Sequence, residues 1–348
     1  MSDGARRRVA LLHGSSDEQA RWLEPFVPEE ARARYAFDLV PRDDELPSWH
    51  ERGGTATPSE WRSAFAYARK GLRGRPDVLV TTFPQAALAA CALKRLTRSP
   101  TRIVGWTFNL GATDNAAKGR AAGAMLRAAD ALVVHSREEV ARYGAWMNLP
   151  EGILRFEPLQ RGRIRLEARE AEPRFALAMG TAKRDYATLF EAATGWQGRL
   201  LVVAGPSALQ GLTPPPNTEV RSGLTQAECL ELNARATLSV VPIANQETAS
   251  GQVTFLHSMA LGVPVIATDC PGTRDYLSHE ADALIVPPRD VGALRAAMDR
   301  LWSDEALRAR LGAAGRARWE AECSDEAAGR ALVAVLDAVT HAGAPCAR

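Results

Sequence analysis

Asn245-Gln-Glu-Thr-Ala-Ser-Gly-Gln-Val-Thr-Phe-Leu-His-Ser-Met-Ala-Leu-Gly-Val-Pro-Val-Ile-Ala-Thr-Asp269 reads as a polar loop, a helix opened by Ser250-Gly251, a tight exit at Gly262 and a buried strand over Val263–Thr268. A loop that feeds a helix start beside a parallel strand is a ready anion site, because unpaired backbone N–H groups and the positive end of the helix dipole converge there. The stretch points to a phosphate-bearing ligand, with Ser250, Gly251, Gln252 and Thr254 at the helix opening as its binding candidates. At about 100° per residue, Ser250, Thr254, His257 and Ser258 share one helix face, and Val253, Leu256, Met259 and Ala260 the opposite one. The expected helix is therefore amphipathic, its polar stripe starting at the anion end. His257 stands about 10 Å along the axis from Ser250, roughly the span from a diphosphate to the ribose of the same nucleotide.

Outward from this stretch, short apolar runs alternate with helical patterns. In the first half, Val9–Leu12, Phe37–Val40, Asp77–Thr82, Arg102–Thr107 and Ala131–His135 read as strands, with helices near 58–72, 85–97, 115–129 and 136–147 between them. After residue 173 a second series follows: strands Phe175–Met179, Arg199–Ala204, Glu219–Arg221, Thr237–Pro242, Val263–Thr268 and Ala283–Val286. Its helices fall near 185–194, 225–235, 251–261, 272–278, 290–302 and 304–320. Continuously apolar strands alternating with helices make parallel sheets covered on both faces. The fold class is α/β, with two Rossmann-like, doubly wound parallel-sheet domains facing across a cleft. The expected domains are 1–160, 174–322 and a final helical segment 323–348; the charged, apolar-poor stretch Gln160–Pro173 suits an exposed linker between the first two.

A length of 348 residues is too great for one ordinary core and fits two domains. Forty-three Lys and Arg against forty-one Asp and Glu give a net charge of +2, so a nucleic-acid partner would need a dense local basic patch, and none stands out in the sequence. Arg6-Arg7-Arg8 reads as a solvated start, with weak attraction to anionic lipid as the lesser option. Five scattered cysteines without a Cys-x-x-Cys pair suit reduced thiols in the cytoplasm. No apolar run approaches the ~20 residues of a membrane span.

The block Ser258-Met-Ala-Leu-Gly-Val-Pro-Val-Ile-Ala-Thr268, with Pro271–Tyr276 and Ala283–Pro288 after it, resembles the donor half of retaining GT-B glycosyltransferases of the family 4 type. The resemblance is specific over about 175–320 and weak before it. In that family the helix carries two glutamates eight positions apart, one reaching the donor sugar and the other the ribose. Here His257 stands at the second position and Ala249 at the first, which leaves Glu247 as the carboxylate available to approach the sugar. An imidazole still hydrogen-bonds a ribose hydroxyl. The resemblance also implies that the final helix crosses back to the first domain; closing the second domain is the alternative.

Gly180-Thr-Ala-Lys-Arg-Asp-Tyr186 follows a strand and precedes a helix, which puts Lys183 and Arg184 at the carboxyl edge of the second sheet. In the resembled family a basic pair here neutralises the donor pyrophosphate. Arg184 matches the cation just before the helix, and Thr181 replaces the one usually found after the glycine. Gly205-Pro206-Ser207 and Arg221-Ser222-Gly223 resemble loops around the nucleotide base, although Gly205 and Gly223 suit plain turns equally. On the acceptor side, Gly14 permits close backbone approach to a phosphate, and Asn109 is the polar residue nearest the position where relatives place a histidine that meets the sugar. His135 reads as a satisfied core imidazole before it reads as a site residue. Trp49, Trp61 and Trp106 read singly as core, with a sugar or aglycone surface as the other possibility.

Cleaving a sugar from a nucleoside diphosphate is limited by charge growing on the leaving phosphate, and fixed cations with a helix start stabilise that charge. The sequence carries no Asp-x-Asp and no clustered His or Cys ligands, so no metal is expected. The reading is a retaining, metal-independent glycosyltransferase that uses no cofactor beyond its co-substrate, a nucleoside diphosphate sugar, UDP-sugars foremost. The acceptor is an unidentified hydroxyl compound. Lys183, Arg184, Glu247 and Asn109 are its catalytic candidates, and Gly14, Gly180, Thr181, Gly205, Ser222, Ser250, Gly251, Gln252, Thr254 and His257 its donor contacts. The rival is a nucleotide-sugar-binding partner subunit without turnover; a GT-B sugar epimerase is disfavoured because its acid–base groups find no place.

Overall fold

The computed structural model describes residues 6–13, 23–42, 57–111, 113, 115–162, 164–244 and 247–341. The chain divides into two units, one of residues 1–157 and 328–348, the other of residues 158–327.

The first unit holds six parallel strands, β1 (Arg7–Leu12), β2 (Tyr35–Leu39), β3 (Val78–Thr81), β4 (Arg102–Gly105), β5 (Ala131–Val134) and β6 (Leu154–Phe156), in the order β2-β1-β3-β4-β5-β6. Val-Leu-Val-Thr of β3 and Ala-Leu-Val-Val of β5 are wholly buried, as strands covered on both faces must be. Parallel crossovers are right-handed, so the one step from β1 to β2 places its helix on one face and the opposite steps place theirs on the other. Accordingly α2 (Pro58–Arg73), α3 (Pro84–Thr97), α4 (Ala116–Leu126) and α5 (Arg137–Met147) form one layer, packed through Ala64, Tyr67, Ala87, Leu126, Tyr143 and Met147. Thr57 opens α2 by a reciprocal capping box with Glu60, ahead of Pro58 at the first helical position.

On the other face α1 (Glu29–Arg32) is one turn long and covers little. The last helix, α11 (Asp325–His341), supplies the missing surface: Leu332, Val335, Leu336 and Val339 pack with Val9, Leu11, Val78, Val80 and Val104. Tyr35 Oη donates to Asp337 Oδ1 at 2.7 Å and fixes the helix along its length.

The second unit repeats the plan with β7 (Ala176–Met179), β8 (Leu200–Val203), β9 (Thr218–Arg221), β10 (Leu238–Val241), β11 (Val265–Thr268) and β12 (Leu284–Val286), in the order β12-β11-β10-β7-β8-β9. One face carries α6 (Tyr186–Ala193) and α9 (Val291–Ser303); the other carries α7 (Gln226–Arg235) and α8 (Gln252–Leu261), and α10 (Glu305–Arg318) follows α9. The α/β class with two parallel sheets agrees with the sequence reading.

Two local readings are corrected. Leu154–Phe156 is a sixth strand that the sequence did not announce. Residues 272–278 form a turn instead of a helix, because Thr273 Oγ1 donates to Thr268 O at 2.9 Å and accepts from Cys270 N at 3.0 Å. Most of the described part of 160–173 is exposed, and it is tied to the second unit at one end: Arg169 N donates to Ala234 O at 2.7 Å, Ala171 N to Arg235 O at 3.0 Å, and Ala171 is buried.

Leu332 is fully buried in α11, so Leu332→Ala is expected to destabilise the first unit by about 2–5 kcal/mol. Hydrogen exchange read by segment checks this: protection should fall in β1, β3 and β4 and hold in β7 to β12, and unchanged protection in β1 would contradict the packing.

Candidate active site

In the second sheet the chain runs from β7 through β8 to β9, then returns to β10 on the opposite side of β7. Connections that leave neighbouring strands in opposite directions open a crevice at the strands' carboxyl ends, and open α/β sheets bind ligands there. The loops at this point are Gly180–Asp185 after β7 and the stretch between β10 and α8. Backbone bonds stitch them together: Ala244 N donates to Lys183 O at 3.1 Å, Asp185 N donates to Pro242 O at 3.1 Å, and Arg184 bridges Ile243.

Arg184 lies at the centre of this crevice. Its Nε donates to Met179 O at 3.0 Å, Nη1 to Ala182 O at 3.0 Å, and Nη2 to Thr254 Oγ1 at 2.9 Å. Thr254 is buried in the first turn of α8, so the guanidinium is fixed at that helix start. Two of its five N–H donors remain for a ligand. Among the described residues no carboxylate pairs with it, and burial pushes its pKa below the usual arginine value. A sequestered cation without a counter-anion is unfavourable on its own, and a bound anion relieves that cost.

The helix start is shaped for close approach. The N-cap of α8 is Gly251, which has no side chain of its own to cap the helix and is held at φ 84°, a left-handed conformation that favours glycine. The turn after β11 presses on the same entrance, where a Cβ on Gly272 would stand 2.3 Å from the carbonyl oxygen of Ser250. Thr181 Oγ1 accepts from Gly205 N at 2.9 Å and joins the loops after β7 and β8, while Tyr186 Oη donates to Gly180 O at 2.6 Å. Gly180, Thr181, Arg184, Gly205, Ser250, Gly251, Gln252 and Thr254 thus all line the carboxyl edge of β7, β8 and β10. Lys183 and Glu247 are exposed on the same two loops, and Ser222 is exposed past edge strand β9.

The expected split of α8 into polar and apolar faces is not observed. Thr254 and Ser258 point inward, and Val253 is exposed. Ser258 Oγ is satisfied inside, its one proton shared between Asn233 Oδ1 and Thr254 O at 3.2 Å each, so the buried hydroxyl has partners in the core. His257 shares the outer side with Val253 and is half-buried. Burial first, and the Arg161 guanidinium second, push its pKa down to about 4. Its ring is neutral at physiological pH and keeps one acceptor nitrogen.

Arg161 is a neighbour that the sequence did not reveal. It sits on a strap laid across the second unit, where Leu159 N donates to Tyr276 Oη at 2.9 Å and Arg161 N to Cys323 O at 2.9 Å. Its position in a charged stretch carried no signal of that packing.

The other candidates belong to the first unit. Asn109 Oδ1 accepts from Gly111 N at 2.7 Å and from Tyr143 Oη at 3.2 Å, so its carbonyl end shapes its own loop. His135 is buried with Nδ1 2.7 Å from Glu157 O, in keeping with a core imidazole. Trp106 is buried, Trp61 half-buried, and Gly14 and Trp49 lie outside the described residues.

Residues 189–304 match the family model described as Glycosyl transferases group 1. Among curated proteins it is 39% identical over 84 residues to a GDP-mannose-dependent monoacylated α-(1-6)-phosphatidylinositol monomannoside mannosyltransferase of Corynebacterium glutamicum, covering 24% of this chain and 22% of that protein. It is 40% identical over 75 residues to an exopolysaccharide phosphotransferase of Streptomyces coelicolor, covering 21% of this chain and 8% of the relative. The matches therefore span under a quarter of either relative's length. Among solved structures, a sucrose-phosphate synthase from Thermosynechococcus elongatus superposes with a TM-score of 0.70 at 20% identity, covering 97% of this chain and all of the other. Anabaena HepE in complex with UDP-glucose superposes with a TM-score of 0.67 at 12% identity, covering 95% of this chain and 99% of that one. The fold is the GT-B kind.

Because the folded pKa of His257 lies below the ordinary value of about 6.5, the unfolded chain binds more protons below that pH, and stability rises with pH between about 4 and the ordinary value. His257→Gln should flatten that part of the stability profile. A ring-proton NMR titration should place the His257 midpoint near 4, and a midpoint of 6.5 or higher would contradict the site.

Proposed function

We propose that this protein is a glycosyltransferase that moves a sugar from a nucleoside diphosphate sugar, a UDP-sugar foremost, to a hydroxyl acceptor, with retention of configuration, without a metal ion, and in the cytoplasm. The observation that carries the proposal is Arg184, a guanidinium without a carboxylate partner among the described residues, fixed by Thr254 at the start of α8, whose N-cap is Gly251. Diphosphate is the leaving group that such a place suits. As the glycosidic bond breaks, charge accumulates on the β-phosphate, and a fixed cation and helix start stabilise it without having to reorganise.

Lys183 is the second, exposed cation on the same loop, and Glu247 on the facing loop is the carboxylate assigned to the sugar. His257, neutral and about two turns into α8, takes a ribose hydroxyl as acceptor or donor. Gly205 and Ser222 lie at the neighbouring strand ends where the base would rest. The group 1 match supports the reaction class, and a UDP-glucose complex in a protein of the same fold supports the donor class.

Incubation with UDP-, GDP- and ADP-sugars should release the corresponding diphosphate slowly by hydrolysis, and calorimetry should detect uptake of one free diphosphate. Arg184→Ala should weaken that uptake by tenfold or more, since a charge-assisted bond contributes about 1.5–3 kcal/mol. Undiminished uptake would remove Arg184 from the site. Tight binding without any release, in the presence of a broad acceptor panel, would favour the non-catalytic partner subunit.

A further inference from the structure

The chain as a whole is nearly neutral, but its charges are not evenly spread. Residues 58–127 contain twelve Lys and Arg against three Asp and Glu, in a protein whose total is forty-three against forty-one. These cations are dispersed in sequence, never more than two in a row, and the fold is what gathers them. Helices α2, α3 and α4 lie side by side in one layer of the first unit, and all three run against the strands, so their carboxyl ends converge at the amino edge of the sheet. Arg69 and Arg73 close α2, Arg98 follows α3, and Arg127 follows α4; all four are exposed. Among the described residues none of these four has an ion-pair partner; of the carboxylates at this edge, Asp130 is held by Lys94 and Arg102, and Asp77, past the end of α2, accepts from Arg8 N at 2.8 Å.

Cations near helix carboxyl ends complement the helix dipole, so charge alone is ordinary there. Exposed aliphatic side chains among those charges are not. Leu96, on the last turn of α3, is 81% exposed, and Met125, on the last turn of α4, is 41% exposed. Arg95 Nη1 donates to Ala124 O at 2.5 Å, which holds these two helix ends together and makes Leu96 and Met125 parts of one surface. A cationic surface studded with aliphatic groups matches an anionic bilayer, where headgroups meet the arginines and the acyl boundary receives the apolar tips. It matches a polyphosphate chain less well, since a nucleic acid offers phosphates but no apolar layer for Leu96. No helix among the described residues is long and apolar enough to cross a membrane, so attachment here means lying on the surface.

We propose that the carboxyl ends of α2, α3 and α4 form a docking surface for anionic lipid bilayers, with Arg69, Arg73, Arg98 and Arg127 at the headgroups and Leu96 and Met125 in the interface. This surface is at the opposite edge of its sheet from the strands' carboxyl ends, and the inference does not depend on the donor site of the second unit.

Co-sedimentation of the full chain with phosphatidylcholine vesicles, with and without phosphatidylglycerol, tests it. Uptake is expected on the anionic vesicles, little on the neutral ones, and less as salt rises, because screening shortens to about 10 Å at 0.1 M. The triple variant Arg69→Glu, Arg73→Glu, Arg98→Glu should lower the partition coefficient on the order of a hundredfold or more, at roughly fivefold for each charge removed. Leu96→Ser, which leaves the charge unchanged, should lower it roughly tenfold. Both sets of side chains are exposed, and an unchanged melting temperature with unchanged diphosphate uptake confirms that the fold is intact. Equal uptake on neutral vesicles, no uptake on either, wild-type partitioning of the triple variant or of Leu96→Ser, or capture of duplex RNA in preference to vesicles would each overturn the assignment.

Discussion

The second unit is organised around a guanidinium that has no carboxylate partner among the described residues. Arg184 is locked by three hydrogen bonds, to the Met179 carbonyl at the end of β7, to the Ala182 carbonyl of its own loop and to Thr254 in the neighbouring helix, and these bonds aim the cation without neutralising it. Burying a charge in this way lowers stability unless an anion is there for part of the protein's working cycle. The strand order makes this possible: because β10 returns to the far side of β7, the loops after those strands part and leave room at their carboxyl ends. Gly251 at φ 84° and the close approach of Gly272 to Ser250 then bring the start of α8 into the same room.

Much of this was legible in the sequence because it rests on local patterns. Continuous apolar runs such as Val78–Thr81 and Leu238–Val241 can only be strands buried on both faces, and their alternation with helical stretches fixes the α/β class. The loop Gly180–Tyr186 could be placed at a sheet edge for the same reason. What failed was what depends on distant partners. The faces of α8 were misassigned because the rule that polar residues face water breaks down where Asn233 is waiting for Ser258. Residues 272–278 have helical composition, but the Thr273 hydroxyl satisfies the backbone locally and holds a turn. Leu154–Phe156 is only three residues long with a single buried side chain, too little for a periodicity to form.

The nearness of Arg161 to His257 is the clearest case of information held only in three dimensions. Nothing about Gln160–Pro173 distinguishes a strap from a linker, yet its packing against Tyr276 and Cys323 brings a second guanidinium to the outer side of α8. The imidazole is consequently kept neutral, which makes it a partner for hydroxyl groups and not a further cation. The same holds for the arginines at the ends of α2, α3 and α4, which are unremarkable in order along the chain and become a single surface when three parallel helices end together.

The most direct test of the account is a crystal structure of the protein with a nucleoside diphosphate bound. The β-phosphate is expected within hydrogen-bonding distance of the Arg184 guanidinium and the backbone N–H groups at the start of α8. A diphosphate seated elsewhere, with Arg184 keeping only its three present bonds, would contradict it.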